Sequence, residues 1–189
     1  NETSTGAQVW RLPSLGRQAP KPVATDTVPR AEGARLGELV HRCLEWLAGP
    51  QGPLVERVDE LVRAAAGEFG ADAALASAAA AVVRRMLSDA DIRGLLGAEP
   101  LPWAGNEVPV VADGRPGRID RLVLRATAEG EQWWVLDYKT EIHPEADPEL
   151  VAQLMRYRRA VQAADPVRPV RVAFITGDGQ LLEIAPREK

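Results

Sequence analysis

The sequence withholds cysteine first: Cys43 stands alone. That excludes a disulfide framework, a cysteine zinc pattern and a four-cysteine iron–sulfur set, and suits a reducing cytoplasm. Histidine is nearly as scarce. His41 and His143 are the only two, which leaves little material for a Ser-His-Asp arrangement, and no GxSxG elbow occurs. No GxxxxGK(S/T) phosphate loop and no GxGxxG fingerprint is present, so this segment is not expected to bind ATP or a dinucleotide itself. No apolar run approaches the roughly 20 residues that span a bilayer, and the first residues lack a secretion-signal layout. The expectation is a soluble, cytoplasmic protein, in which the glycosylation pattern Asn1-Glu2-Thr3 arises by chance. Net positive charge is missing too. A formal net charge of −4 argues against a free-standing, nonspecific nucleic-acid binder. It leaves room for a nucleic-acid enzyme, whose metal-binding carboxylates would add negative charge.

Lysine is the most telling shortage. Of 23 basic side chains only Lys21, Lys139 and Lys189 are lysine, two of them near the ends of the chain. Lys139 closes the run Trp133-Trp134-Val135-Leu136-Asp137-Tyr138-Lys139-Thr140. Side chains alternate along a strand, so Asp137 and Lys139 share a face with Tyr138 turned away. Trp133 to Leu136 is apolar on both faces, as in a central strand between layers, and the polar pair emerges where that strand leaves the core. Seen alone, the pair is an ordinary ion pair at a strand end. A chain that otherwise chooses arginine yet keeps lysine here points to a compact amine needed for chemistry.

Residues 1–30 carry four prolines and no sustained periodicity, and are expected to form an irregular lead-in or linker. A helical region follows over 31–97. Leu36, Leu39, Val40, Cys43, Leu44 and Leu47 mark an amphipathic helix over 30–48, stopped by Gly49-Pro50, with His41 on the flank of its apolar stripe. Further helices are expected over 55–69 and 72–88, with a helical turn at 91–96. The segment 105–185 then supplies a sheet and one helix. Its first strand is expected over 105–111, with Gly114 and Pro116-Gly117 as the turn into the second. Asp120 shares a face there with Leu122 and Leu124, and a lone acid in an apolar row invites a partner. Residues 128–131 form a hairpin turn, 149–164 a helix bearing Gln153 and Tyr157 on one face, and 170–184 a final hairpin around Gly177-Asp178-Gly179. Arg156, Arg158 and Arg159 read as a solvated basic face.

Taken in order, Gly37-x-x-x-His41, Gly117-Arg118-Ile119-Asp120-Arg121, Asp137-Tyr138-Lys139-Thr140 and Gln153-Leu154-x-x-Tyr157 resemble the RecB-type nuclease branch of the PD-(D/E)xK superfamily. The likeness is to the C-terminal domain of bacterial helicase-nucleases of the AddA, RecB or AdnAB kind, over residues 33 to 185. The missing cysteine set departs from the iron–sulfur relatives.

The resemblance implies an α/β fold: a restriction-endonuclease-like mixed central sheet flanked by helices, with an N-terminal helical region bearing His41. It implies a metal held by His41, Asp120, Asp137 and the Tyr138 carbonyl, Lys139 beside the attacking water, and Gln153 and Tyr157 positioning the site or the strand. Hard oxygen donors suit Mg²⁺, and the imidazole makes Mn²⁺ at least as welcome. The expected activity is an exonuclease acting on single-stranded or unwound DNA in double-strand-break repair and recombination. The expected partner is an ATP-dependent helicase in the same polypeptide or complex. A noncatalytic nuclease fold used for DNA binding or assembly is the alternative, and the intact His41, Asp120, Asp137 and Lys139 weigh against it.

Overall fold

The computed structural model describes residues 28–49 and 52–185. Most of the expected lead-in, together with Pro50, Lys21 and Lys189, lies outside them. Helix α1 (Val28–Leu47) starts within the proline-rich stretch, and a proline in a first helical turn costs no hydrogen bond. Helices α2 (Val58–Phe69), α3 (Ala73–Met86) and α4 (Ala90–Arg93) follow. Their ends are set by local chemistry. Asp72 and Asp89 accept hydrogen bonds from the backbone N–H of Leu75 and Ile92 as N-caps. Gly70 closes α2 with a left-handed residue.

Strands β1 (Trp103–Ala112), β2 (Arg115–Thr127), β3 (Gly130–Tyr138), β4 (Val170–Ile175) and β5 (Leu181–Glu183) form one five-stranded sheet in sequence order. All neighbours are antiparallel except β3 and β4, whose parallel pairing requires the crossover helix α5 (Pro148–Ala164). This is the mixed sheet with flanking helices expected of a restriction-endonuclease-like fold. The chain from Asp147 into α5 is capped by that aspartate, which accepts from the Glu149 N–H, with Pro148 at the first helical position.

One expected turn is displaced. The β1–β2 hairpin turns at Asp113-Gly114, both with positive φ (52° and 74°), the two-residue primed turn that Asp-Gly favours. Pro116 and Gly117 therefore lie inside β2, paired with Val111 and Val110. Proline is tolerated there because β2 pairs with β3 only from Arg121 onward, leaving its first half free on that side.

Each face of the sheet carries its own core. Val123, Trp134, Leu136, Tyr138, Ala173 and Ile175 pack under α1–α4, while Leu122, Val135, Val172 and Phe174 pack against Leu154, Tyr157 and Val161 of α5. Strand β3 is buried on both sides, which explains its unbroken apolar run.

The crossover is fastened by Asp165, just past α5. Its carboxylate accepts from Trp133 Nε1 at 2.9 Å and Arg168 Nη1 at 2.8 Å, and from the backbone N–H groups of Val167 and Arg168. The Trp133 bond, then the Arg168 bond, hold its pKa down at about 2. A depressed carboxylate stabilises the fold fully above its unfolded value of about 3.9, and the contribution is lost as pH falls through the folded value. Asp165→Asn should thus cost about 1–2 kcal/mol at pH 7, with the variant and wild type converging near pH 2. Urea titrations at both pH values check this, and an equal gap at both would sink it.

Candidate metal and catalytic site

The site forms where β2 and β3 part company. Their ladder ends at Arg121 opposite Leu136, and beyond it the Asp120 carboxylate takes the place of a main-chain acceptor, receiving the Tyr138 N–H at 2.9 Å. Side-chain alternation breaks at the same point. Ile119 packs with the α5 layer, whereas Arg121, two residues on, bonds to carbonyls of the helical layer. Asp120 is therefore drawn out of the row with Leu122 and Leu124 that simple alternation assigns it. It turns toward α1, where His41 Nε2 lies 3.7 Å from its Oδ2.

His41 Nε2 also lies 2.9 Å from the Tyr138 carbonyl oxygen. The Tyr138 ring, by contrast, is buried under the helices with its hydroxyl unpaired. One residue thus offers backbone to the site and side chain to the core. Asp137 and Lys139 do share a face, with Lys139 Nζ donating to Asp137 Oδ1 at 2.6 Å. Lys139 is held in place through its own N–H, which donates to the Ile175 carbonyl.

Gln153 and Tyr157 do not join this cluster. Gln153 Nε2 donates to Tyr157 Oη at 3.2 Å, and the same oxygen accepts the Arg118 N–H at 3.4 Å. A Cβ at Gly117 would lie 2.7 Å from that hydroxyl, so only glycine lets the ring sit there. The pair on α5 braces the Gly117-Arg118 segment of β2 from behind. In the basic cluster, Arg158 Nε donates to the Val170 carbonyl and Arg159 pairs with Asp113, so both serve the fold. His143 is exposed and touches Glu145.

Two contributors were not singled out in the sequence. Glu107 stands directly across from Asp120, between the pairs Asn106–Arg121 and Val108–Ile119. With His41 and Asp120 it presents ligand atoms that all lie within 4.8 Å of one another. The signal was the hairpin register: a turn at Asp113-Gly114 puts residue 107 opposite residue 120, and a later turn hides it. Asp137 falls outside that trio and meets the site through its charge, which faces the Asp120 carboxyl. The second is Arg121, buried and unaccompanied by any acid among the described ion pairs. It donates to the carbonyls of Ala48 and Leu95 and to Asn106 Oδ1, while Asn106 Nδ2 donates to the Glu45 carbonyl. The bonds to Ala48 and Glu45 satisfy carbonyls at the C-terminal end of α1 and so fix the helix that presents His41.

The electrostatics favour a cation. Burial, then the facing Asp137 charge, hold the Asp120 carboxyl well above the usual carboxylate range. Burial lowers the His41 pKa, favouring the neutral, metal-binding imidazole. Asp137 Oδ2 is buried with no hydrogen-bond partner among the described residues, and an acceptor left so is costly without a donor or a cation. Two crowded carboxylates, one of them with an unpaired oxygen, an imidazole and a carbonyl make a donor set that fits a divalent ion. The site opens on a groove of about 980 Å³ lined by Gly33, Gly37, His41, Glu107, Arg118 and Lys139 among others.

A model of the family described as the PD-(D/E)XK nuclease superfamily matches residues 10–186. No curated protein matches the chain.

The crowding of Asp120 has a direct consequence for the metal-free protein. An acid whose pKa is raised on folding holds its proton longer in the native state, so stability falls as pH rises above the unfolded value of about 3.9. Asp120→Asn keeps an acceptor for the Tyr138 N–H and adds a donor toward Asp137. In EDTA at pH 7–8 it should melt higher than wild type, by about 2–4 °C per kcal/mol of relieved repulsion, and its Tm should decline less with pH. Parallel Tm-versus-pH curves for the two proteins would contradict this.

Proposed function

The chain belongs to the PD-(D/E)XK nuclease superfamily, and from that premise we propose that it is a Mg²⁺- or Mn²⁺-dependent deoxyribonuclease, acting as the exonuclease domain of a cytoplasmic ATP-dependent helicase-nuclease in DNA break repair and recombination. One observation carries the chemical part of the proposal. Asp120, His41 Nε2 and the Tyr138 carbonyl come together at the point where β2 and β3 separate, and beside them Asp137, its Oδ2 unpaired, faces Asp120 and pairs with Lys139. In this reading those four groups hold the ion, with Glu107 as a further carboxylate within reach. When bound, the ion would lower the pKa of a water and offset charge on the scissile phosphate.

The remaining work falls to the chain's own side chains. Lys139, pinned through Asp137 and through its backbone, is placed to orient the attacking water and to stabilise charge developing on the phosphate. Gln153 and Tyr157 keep β2 at its distance from the groove by bracing Arg118 from behind. The groove over Gly33 and Gly37, where a Cβ would meet nothing within 4 Å, gives a strand room to approach α1. Net charge of −4 fits a domain that borrows its grip on DNA from an attached motor.

Lys139→Arg separates chemistry from charge. Arginine keeps the cation but brings a bulky planar head that holds its proton at working pH. Mn²⁺-dependent cleavage of single-stranded DNA should fall at least about a hundredfold, with Mn²⁺ affinity by calorimetry little changed. Asp137→Ala should abolish both cleavage and metal binding while the protein stays folded. Activity within a few fold of wild type for Lys139→Arg would reduce the lysine to a counter-charge and favour a noncatalytic role for the fold.

A further inference from the structure

We propose that Arg118 is a ligand for a substrate phosphate that the metal-free protein keeps latched to Glu107, and that occupation of the metal site releases it. The inference rests on the nuclease reading above and adds to it a link between loading the site and gripping the strand.

Glu107 belongs to two partnerships at once. Its Oε2 forms an ion pair with Arg118 Nε at 2.5 Å, and its carboxylate also lies within 4.8 Å of the ligand atoms of His41 and Asp120. Its backbone is specialised for this position, with φ at +52° inside an otherwise extended strand. A non-glycine residue pays for that conformation, and such outliers mark functional sites more often than random positions.

Arg118 is the complementary half. Its side chain is 67% exposed, it lines the same groove as His41 and Lys139, and Glu107 is its one acidic partner among the described residues. Its backbone is far from loose. The Arg118 N–H is held by Tyr157, itself held by Gln153, and Gly117 beside it is fixed against the same ring. A braced backbone thus presents a long side chain at the mouth of the groove, which accounts for a Gln-Tyr pair that never reaches the metal cluster.

The exchange follows from relative strengths. An ion pair this exposed contributes little, whereas a divalent cation among hard oxygen donors attracts a neighbouring carboxylate strongly. Once Glu107 turns to the cation, the guanidinium keeps its charge and its planar fork, a geometry suited to phosphate oxygens. By linkage the strand then strengthens metal binding by the factor with which the metal strengthens strand binding.

The full chain, a short single-stranded oligonucleotide and Ca²⁺ as probe ion test this, with oligonucleotide length checked after each titration. In Ca²⁺, Arg118→Met should weaken oligonucleotide binding about tenfold and make its salt dependence shallower by about 0.7 in log–log slope. In EDTA the same substitution should change nothing, and Arg118→Lys should keep part of the Ca²⁺-dependent grip. Glu107→Gln should raise affinity in EDTA by freeing the arginine, and the gain should vanish in the Glu107→Gln, Arg118→Met double variant. Equal losses with and without Ca²⁺, or a gain that survives in the double variant, would overturn the latch and leave a plain surface charge effect. If wild type binds neither Ca²⁺ nor Mn²⁺ by calorimetry, the metal-dependent reading itself fails and takes the latch with it. Normal metal binding with no Arg118 effect removes the latch alone.

Discussion

The structure turns on one substituted hydrogen bond. Where the ladder between β2 and β3 ends, the Tyr138 N–H would be left without a strand partner, and the Asp120 carboxylate supplies the acceptor. A buried amide is costly to leave unpaired, so this bond fixes where the strands separate. It also commits Asp120 to a position against Asp137, where the two charges and their burial oppose ionisation. The repulsion that makes the metal-free cluster uncomfortable is the same feature that makes a cation welcome there. Stability and chemistry meet at a single oxygen.

The layers around this fork divide the labour. The sheet supplies Asp120, Asp137, Lys139 and Glu107, while the helical layer supplies His41. Its placement depends on Arg121 and Asn106 gripping the end of α1. The α5 layer supplies nothing to the cluster directly and braces β2 through Tyr157. Each layer thus contributes a different kind of restraint: donor atoms from the sheet, an imidazole from one side and a brace from the other.

Much of this was legible in the sequence because it is local or periodic. The apolar run of β3 announced a central strand, alternation put Asp137 and Lys139 on one face, and the spacing of Leu36 to Leu47 located α1 and set His41 on its flank. What escaped depends on tertiary geometry. The expected turn took in Gly114 but ran on through Pro116-Gly117, and with the register went Glu107. Asp120 broke the alternation assigned to it because the fork, and not the pleat, decides its direction. Arg121 looked like one arginine among twenty, since only the folded chain shows it buried against the end of a helix.

The contact between His41 and the Tyr138 carbonyl joins groups 97 residues apart in the chain. Long-range contacts of that kind are closed late, after local helices and hairpins have formed and the entropy of a large loop has been spent. The β1–β2–β3 meander and the packed pair of α1 and α2 are each built from near neighbours, yet neither holds a complete donor set. A growing or partly unfolded chain therefore carries the carboxylates without the imidazole. The donor set is complete only while the helical layer is docked on the sheet, and it is broken when that layer lifts.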